Sequence, residues 1–241
     1  MGGKVHAQIK QLQQVVRLGG ISALYEGYRA VGDLFDPEGV IDHRMGQLLG
    51  RRLLAAMNFD VSVEGAEHVA ELEDYAIISS HASYADWALL LGHFPAQVRF
   101  VAKKELRWVP IVGRWLKRRS VLIDRKAGKG AVDAIAAGAR AEPGRPLLIF
   151  PEGTRSSDGQ VQPFRKGGIA ALAKGGLKLV PVGLRGTHDA LPRGQKFAVA
   201  GAEMAIAIGA PVDPADFHGD TDALTAHLEL AVRALVAGER Q

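Results

Sequence analysis

Two stretches, Ala76-Ile77-Ile78-Ser79-Ser80-His81-Ala82-Ser83-Tyr84-Ala85-Asp86 and Leu147-Leu148-Ile149-Phe150-Pro151-Glu152-Gly153-Thr154-Arg155-Ser156, share one design. In each, a short apolar run that reads as a strand ends abruptly in titratable and small residues. An open α/β sheet keeps its chemistry just beyond the carboxyl ends of its strands, so both segments point to one sheet mouth. The first offers a base with a carboxylate nearby. The second offers an acid, a flexible backbone at Gly153 and a guanidinium.

Outward from these stretches the same texture continues. Strand-like runs fall at Val61 to Val63, Val98 to Val101, Val121 to Ile123, Leu179 to Leu184 and Met204 to Ile208. Helical patterns fall around Trp87 to Leu91, Ala131 to Arg140, Gly168 to Ala173 and Thr221 to Val236. Strands alternating with helices predict an α/β fold with a mostly parallel central sheet flanked by helices. Ahead of it, Val5, Ile9, Leu12, Val16, Leu24, Tyr28, Val31 and Phe35 recur at helical spacing, apart from a gap at Gly19-Gly20. A turn at Asp36-Pro37-Glu38-Gly39 precedes a second helical stretch through Ile41, Met45, Leu49 and Leu53. Residues 1–58 therefore read as an N-terminal amphipathic helical hairpin and 59–241 as the main domain.

The 241 residues, 47% hydrophobic and 23% charged, suit an ordinary globular core without metals or disulfides. The absence of cysteine excludes a thiolate nucleophile and Cys-ligated zinc, and it fits a reducing compartment. No apolar run approaches the roughly 18 residues needed to span a bilayer. Met1-Gly2-Gly3-Lys4-Val5-His6 resembles neither a signal peptide nor a myristoylation site, so the expectation is a chain that is not exported. Charge is unevenly placed: residues 99–129 carry eleven cations against Glu105 and Asp124, a net of +9, while the rest of the chain sums to −5. Such a stretch suits an anionic substrate, a membrane surface or a nucleic acid.

His81 and Asp86 could not share a proton on one continuous helix. With His81 on a strand-to-helix turn and Asp86 in the first helical turn they can converge, His81 as general base and Asp86 setting its tautomer. The competing reading is that Ser83-x-x-Asp86 is a capping box. Glu152 and Arg155 could likewise form a surface pair, although an arginine there can grip phosphate through two parallel hydrogen bonds. The chain lacks a G-x-S-x-G elbow and a Walker loop, so neither serine-esterase nor nucleotide chemistry is indicated.

Taken in order, the segments resemble the motifs of the glycerolipid acyltransferase superfamily, in particular bacterial 1-acylglycerol-3-phosphate (lysophosphatidic acid) acyltransferases. His81 through Asp86 is similar to the first motif, with Ser80 where Asn is frequent. Lys103-Lys104-Glu105-Leu106, Pro110-Ile111-Val112-Gly113 and Ile123-Asp124-Arg125 resemble the second, with Arg119-Ser120 where many members carry glycine. Phe150 to Ser156 is similar to the third at every position, and Val180-Pro181-Val182 resembles the fourth. The resemblance implies that His81 deprotonates an acceptor hydroxyl and Asp86 orients it. It implies further that Arg125 and Arg155 hold the acceptor phosphate, that Glu152 positions the glycerol part, and that Gly153, Thr154 and Lys104 contribute to substrate binding.

The implied reaction moves a fatty acyl group from a thioester to lysophosphatidic acid, giving phosphatidic acid. The implied partners are a lysophospholipid acceptor, an acyl-CoA or acyl carrier protein donor, and the membrane surface. No metal or other cofactor is expected. Another lysolipid, such as lyso-ornithine lipid, or glycerol 3-phosphate is the alternative acceptor. A non-enzymatic basic protein that binds membrane or nucleic acid would leave His81 and the Phe150–Ser156 motif unexplained, so no nucleic-acid partner is expected. The expected location is cytoplasmic, peripherally associated with the inner face of the cell membrane.

Overall fold

The computed structural model of the chain describes residues 13–14, 16–28, 40–108, 113, 116–117, 120–124, 126–195 and 198–239. Several sequence expectations fall outside these residues: the helical pattern at Val5, Ile9, Leu12, Val31 and Phe35, the turn at 36–39, Pro110-Ile111-Val112, and Arg114, Trp115, Arg118, Arg119 and Arg125.

The strands β1(Asp60–Glu64), β2(Tyr75–Ser79), β3(Arg99–Lys103), β4(Ser120–Ile123), β5(Leu147–Ile149), β6(Lys178–Arg185) and β7(Glu203–Ile208) form one sheet. Their order is β1-β7-β6-β2-β5-β3-β4. Neighbours are parallel except for the antiparallel β6–β7 pair, as the apolar runs predict for a mostly parallel sheet. The helices are α1(Val40–Ala55), α2(Ala85–His93), α3(Lys129–Arg140), α4(Lys166–Ala173), the short α5(Thr187–Ala190) and α6(Thr221–Ala237). Helix α5 carries no periodic signal, being a single turn.

Strand alternation builds the two faces of the core. Ile77, Leu148 and Val180 pack on one side with Leu89 and Leu90 of α2 and with Phe94 just after it. Ala76, Ile78, Leu147 and Leu179 pack on the other with Ile135 of α3, Ile169 of α4 and Leu224 and Leu228 of α6. Helix α1 lies on α2, and their crossing is set by two glycines. A Cβ on Gly50 would sit 2.6 Å from the Ala88 carbonyl oxygen, and one on Gly92 would sit 2.8 Å from the Arg51 nitrogen. Leu54, Met57 and Phe59 join the same core as α2, so the second helical stretch packs on the sheet layer. At 16–28 the chain is also helical: Tyr25 is buried, while Val16, Leu24 and Tyr28 are exposed.

One expectation about the basic stretch is corrected. Arg99 is only 4% exposed. Its guanidinium donates to the Gly138 carbonyl at 2.7 Å and, through Nε, to the Arg145 carbonyl at 2.9 Å. Gly138 lies in the last turn of α3, whose carbonyls have no partners within the helix, so Arg99 caps that helix from the interior and is not a surface cation.

The connections place the site. From β2 the chain passes over β5 to reach β3, and from β5 it passes over β2 to reach β6. These crossovers leave in opposite directions, which opens a crevice above the carboxyl ends of β2 and β5. The pairing Ile78 to Ile149 brings both signature loops to that crevice at the same height.

Candidate active site

His81 follows β2 directly, and Asp86 sits in the first turn of α2. Their side chains meet with His81 Nδ1 and Asp86 Oδ2 2.7 Å apart. That oxygen also accepts the backbone N–H groups of Ala82 at 2.8 Å and Ser83 at 2.9 Å. The convergence of His81 with Asp86 and the carboxylate half of the capping reading coexist, since one fully buried carboxylate both accepts the turn's amides and binds the imidazole. The bond from Asp86 to Nδ1 leaves Nε2 as the nitrogen that can take a proton. The imidazole stacks on the Phe150 ring, with centroids 4.0 Å apart and an interplanar angle of 18°.

Ser80 anchors the same loop to β6. Its Oγ accepts the Leu184 N–H at 2.9 Å, and its N–H donates to the Val182 carbonyl at 3.2 Å. Ser83 Oγ donates to the Leu191 carbonyl at 2.8 Å, just after α5. The short helix unseen in the sequence thus borders the site.

Glu152 is 4% exposed, and it reaches backbone amides with both carboxylate oxygens. Oε1 accepts the His81 N–H at 2.7 Å, and Oε2 accepts the Gln162 N–H at 3.0 Å. In return the His81 carbonyl accepts the Ser156 N–H at 2.9 Å, so the two signature loops are sewn together by bonds in both directions. Burial pushes the Glu152 carboxyl up to about 7; the two amides and Arg233 oppose that rise, while Asp86 adds to it. The residue expected to position glycerol thus spends its oxygens on the loop that carries His81. Gly153 takes φ 74°, and a Cβ there would lie 3.1 Å from the Arg165 guanidinium carbon. Side chains rarely adopt that backbone region, so the turn favours glycine.

Arg155 lies over the Tyr84 ring, its guanidinium carbon 3.5 Å from the centroid. Tyr84 occupies an unspecified position between His81 and Asp86. Only an aromatic residue amid the motif hinted at this platform, and sequence reasoning passed over it along with the Phe150 stack. Thr154 is exposed on the same loop. Lys104 stands farther along the sheet edge, where its Nζ pairs with Asp124 Oδ2 at 2.5 Å and the bond raises the lysine's affinity for its proton. Arg125 lies outside the described residues.

The basic surface begins where β3 ends. Because β3 runs parallel to β5, Lys104, Arg107 and Trp108 emerge at the same edge as His81 and Glu152. Trp108 is 72% exposed, with the Arg107 guanidinium 4.9 Å and the Lys117 ammonium 5.2 Å from its ring centroid. Among the described residues no helix is long and apolar enough to cross a membrane, and no three His, Asp or Glu side chains form a metal-ligand set.

Residues 60–185, which hold both loops and most of the sheet, match the protein-family model described as Acyltransferase. This chain belongs to the acyltransferase family. It is 31% identical over 178 residues to a 1-acyl-sn-glycerol-3-phosphate acyltransferase of Limnanthes alba, a match covering 73% of this chain and 62% of that one. It is 36% identical over 146 residues to the protein of the same name from Cocos nucifera, covering 59% and 47%. Among solved structures it is similar to the 1-acyl-sn-glycerophosphate (LPA) acyltransferase PlsC of Thermotoga maritima, at 26% identity and a TM-score of 0.82, over 96% of both chains. The chain therefore spans under two thirds of the length of the curated plant relatives, and nearly all of the bacterial one.

Proposed function

We propose that this acyltransferase moves a fatty acyl group from an acyl-CoA or acyl carrier protein thioester to the free hydroxyl of lysophosphatidic acid, forming phosphatidic acid. The observation that carries the reading is the His81–Asp86 pair, 2.7 Å apart with Asp86 buried, at the crevice above β2 and β5. His81 Nε2 removes the proton from the acceptor hydroxyl as its oxygen attacks the thioester carbonyl. The carbon–sulfur bond then breaks, and the departing thiolate takes the proton from the imidazolium. Asp86 stabilises the imidazolium during the transfer. No covalent acyl-enzyme is needed, because the donor is already activated and the base is already positioned.

Arg155, with Arg125 and Lys104, holds the acceptor phosphate, while Gly153 and Thr154 line the approach. The names of the relatives support the acceptor. The chain works at the inner face of the membrane as a peripheral protein. The exposed Val16, Leu24 and Tyr28 of the N-terminal helical segment and the cation-flanked Trp108 support that location, since both suit a lipid interface.

The decisive experiment supplies purified full chain with acyl-CoA and acyl carrier protein donors against lysophosphatidic acid, lyso-ornithine lipid and glycerol 3-phosphate, followed by lipid product analysis. Phosphatidic acid as the dominant product is expected. Transfer to lyso-ornithine lipid or glycerol 3-phosphate in preference to lysophosphatidic acid would overturn the acceptor.

A further inference from the structure

The segment after the Phe150–Ser156 loop is gripped by carboxylates from two directions. Glu152 Oε2 accepts the Gln162 N–H at 3.0 Å, and Glu229 Oε2, from α6, accepts the Phe164 N–H at 2.8 Å. One turn along α6, Arg233 donates to Glu229 Oε1 through Nε at 3.0 Å and Nη2 at 2.8 Å. A glutamate and arginine four apart on a helix surface usually stabilise it only slightly. Here the second carboxylate oxygen is committed to a backbone amide of another element, and Arg233 also lies near enough to Glu152 to favour its ionised form. Both residues lie beyond 60–185, the part that matches the family.

We propose that Glu229 and Arg233 are positioning residues of the acyl-transfer site, holding the loop that carries His81 through the 162–164 segment and Glu152. The inference rests on the reading of His81 as the base. The relay runs from Glu229 to the Phe164 amide, from the Gln162 amide to Glu152, and from Glu152 to the His81 amide. An ionised carboxylate accepts through both oxygens. Once protonated, one oxygen becomes a hydroxyl donor and a poor acceptor, so one of the two amides loses its partner. The charged groups acting on Glu152 are Asp86 on α2, which favours protonation, and Arg233 on α6, which opposes it; His81 meets it through its amide. Without Arg233, Glu152 holds its proton to higher pH and the His81 loop loosens under neutral conditions.

The test compares wild type with Arg233→Met, Arg233→Lys and Glu229→Ala as full chains, measuring acyl transfer to lysophosphatidic acid from about pH 5.5 to 9, across the histidine range. Arg233→Met should lower kcat about tenfold near neutrality, as a small misplacement of a catalytic group does. It should also move the acid limb of the kcat profile to higher pH while both KM values stay within about twofold. Arg233→Lys keeps the charge and should restore the limb. Glu229→Ala should lower kcat at every pH, because the Phe164 amide loses its acceptor. Melting temperatures that fall with kcat and the acid limb unchanged would mean mere helix stabilisation and overturn the proposal, as would a kcat loss matched by a rise in acceptor KM. His81→Ala run alongside separates the two readings. If it stays active, the base is wrong; if it is inactive and Arg233→Met equals wild type, only the present inference fails.

Discussion

The sheet edge above β2 and β5 and the edge above β3 and β4 face the same way and hold their charges in opposite manners. Above β2 and β5, Asp86 and Glu152 are buried; Asp86 Oδ2 takes two backbone amides and an imidazole, and each Glu152 oxygen takes a backbone amide, at 2.7 to 3.0 Å. Above β3 and β4, Lys104 and Asp124 pair in the open, and Trp108 stands in solvent between two cations. Burial makes an unpartnered charge costly, so the first edge admits one arrangement. Water removes that penalty at the second, which acts as a field rather than a fixed geometry.

The strongest way to break this contrast is at His81. His81→Ala should reduce transfer by about 10² to 10⁴-fold with an unchanged circular dichroism spectrum, the usual range for a lost general base. Asp86→Asn should also impair it, because an amide cannot stabilise the imidazolium as a carboxylate does. Near-normal transfer by folded His81→Ala protein would remove the base from this edge.

Glu152 sharpens the contrast through pH. Its carboxyl titrates near 7 in the folded protein against an ordinary 4.5. Between those values the folded state holds a proton that the unfolded state has released, so raising pH penalises the fold. The contribution of Glu152 should be full below the lower value and lost by the upper, by roughly 3 kcal/mol. Urea unfolding at several pH values should show this decline in wild type and its absence in Glu152→Gln. Parallel curves for the two would show that the carboxyl is not desolvated as described.

Arg155→Ala comes next, with a loss of about 10 to 150-fold in affinity for the phosphorylated acceptor and little change for the donor. An equal loss for a lysolipid without phosphate would assign the guanidinium a structural role on Tyr84. The smallest effect is expected at the open edge. Lys104→Ala should raise the acceptor KM less than about fivefold at low salt, fading as salt screens the field, with no change in melting temperature. A salt-independent loss larger than that at Arg155 would reverse the ranking of the two edges.

Much of the fold was legible in the chain. Strands buried on both faces need continuous apolar runs, and Ala76–Ser79, Leu147–Phe150 and Leu179–Leu184 are such runs. The candidate site was legible as a set of residues because its motifs are local, each a strand end followed by a turn. What was not legible depends on partners distant in sequence. Arg99 reads as one more surface cation until α3 places its carbonyls on it. Glu152 reads from the sequence as a substrate ligand, and only the folded chain shows that the His81 and Gln162 amides donate to its two oxygens.

By itself, then, the sequence determined the alternation of strands and helices, the convergence of His81 and Asp86 at a strand-to-helix turn, and the family whose motifs it carries. Those follow from periodicity and from residues a few positions apart. Only the tertiary structure decided that β5 lies between β2 and β3, that Phe150 stacks on His81 and Tyr84 on Arg155, and that α6 reaches back to the 162–164 segment. Strand order and buried hydrogen bonds are settled by which apolar faces and unsatisfied amides find each other when the chain closes. No local pattern encodes that choice.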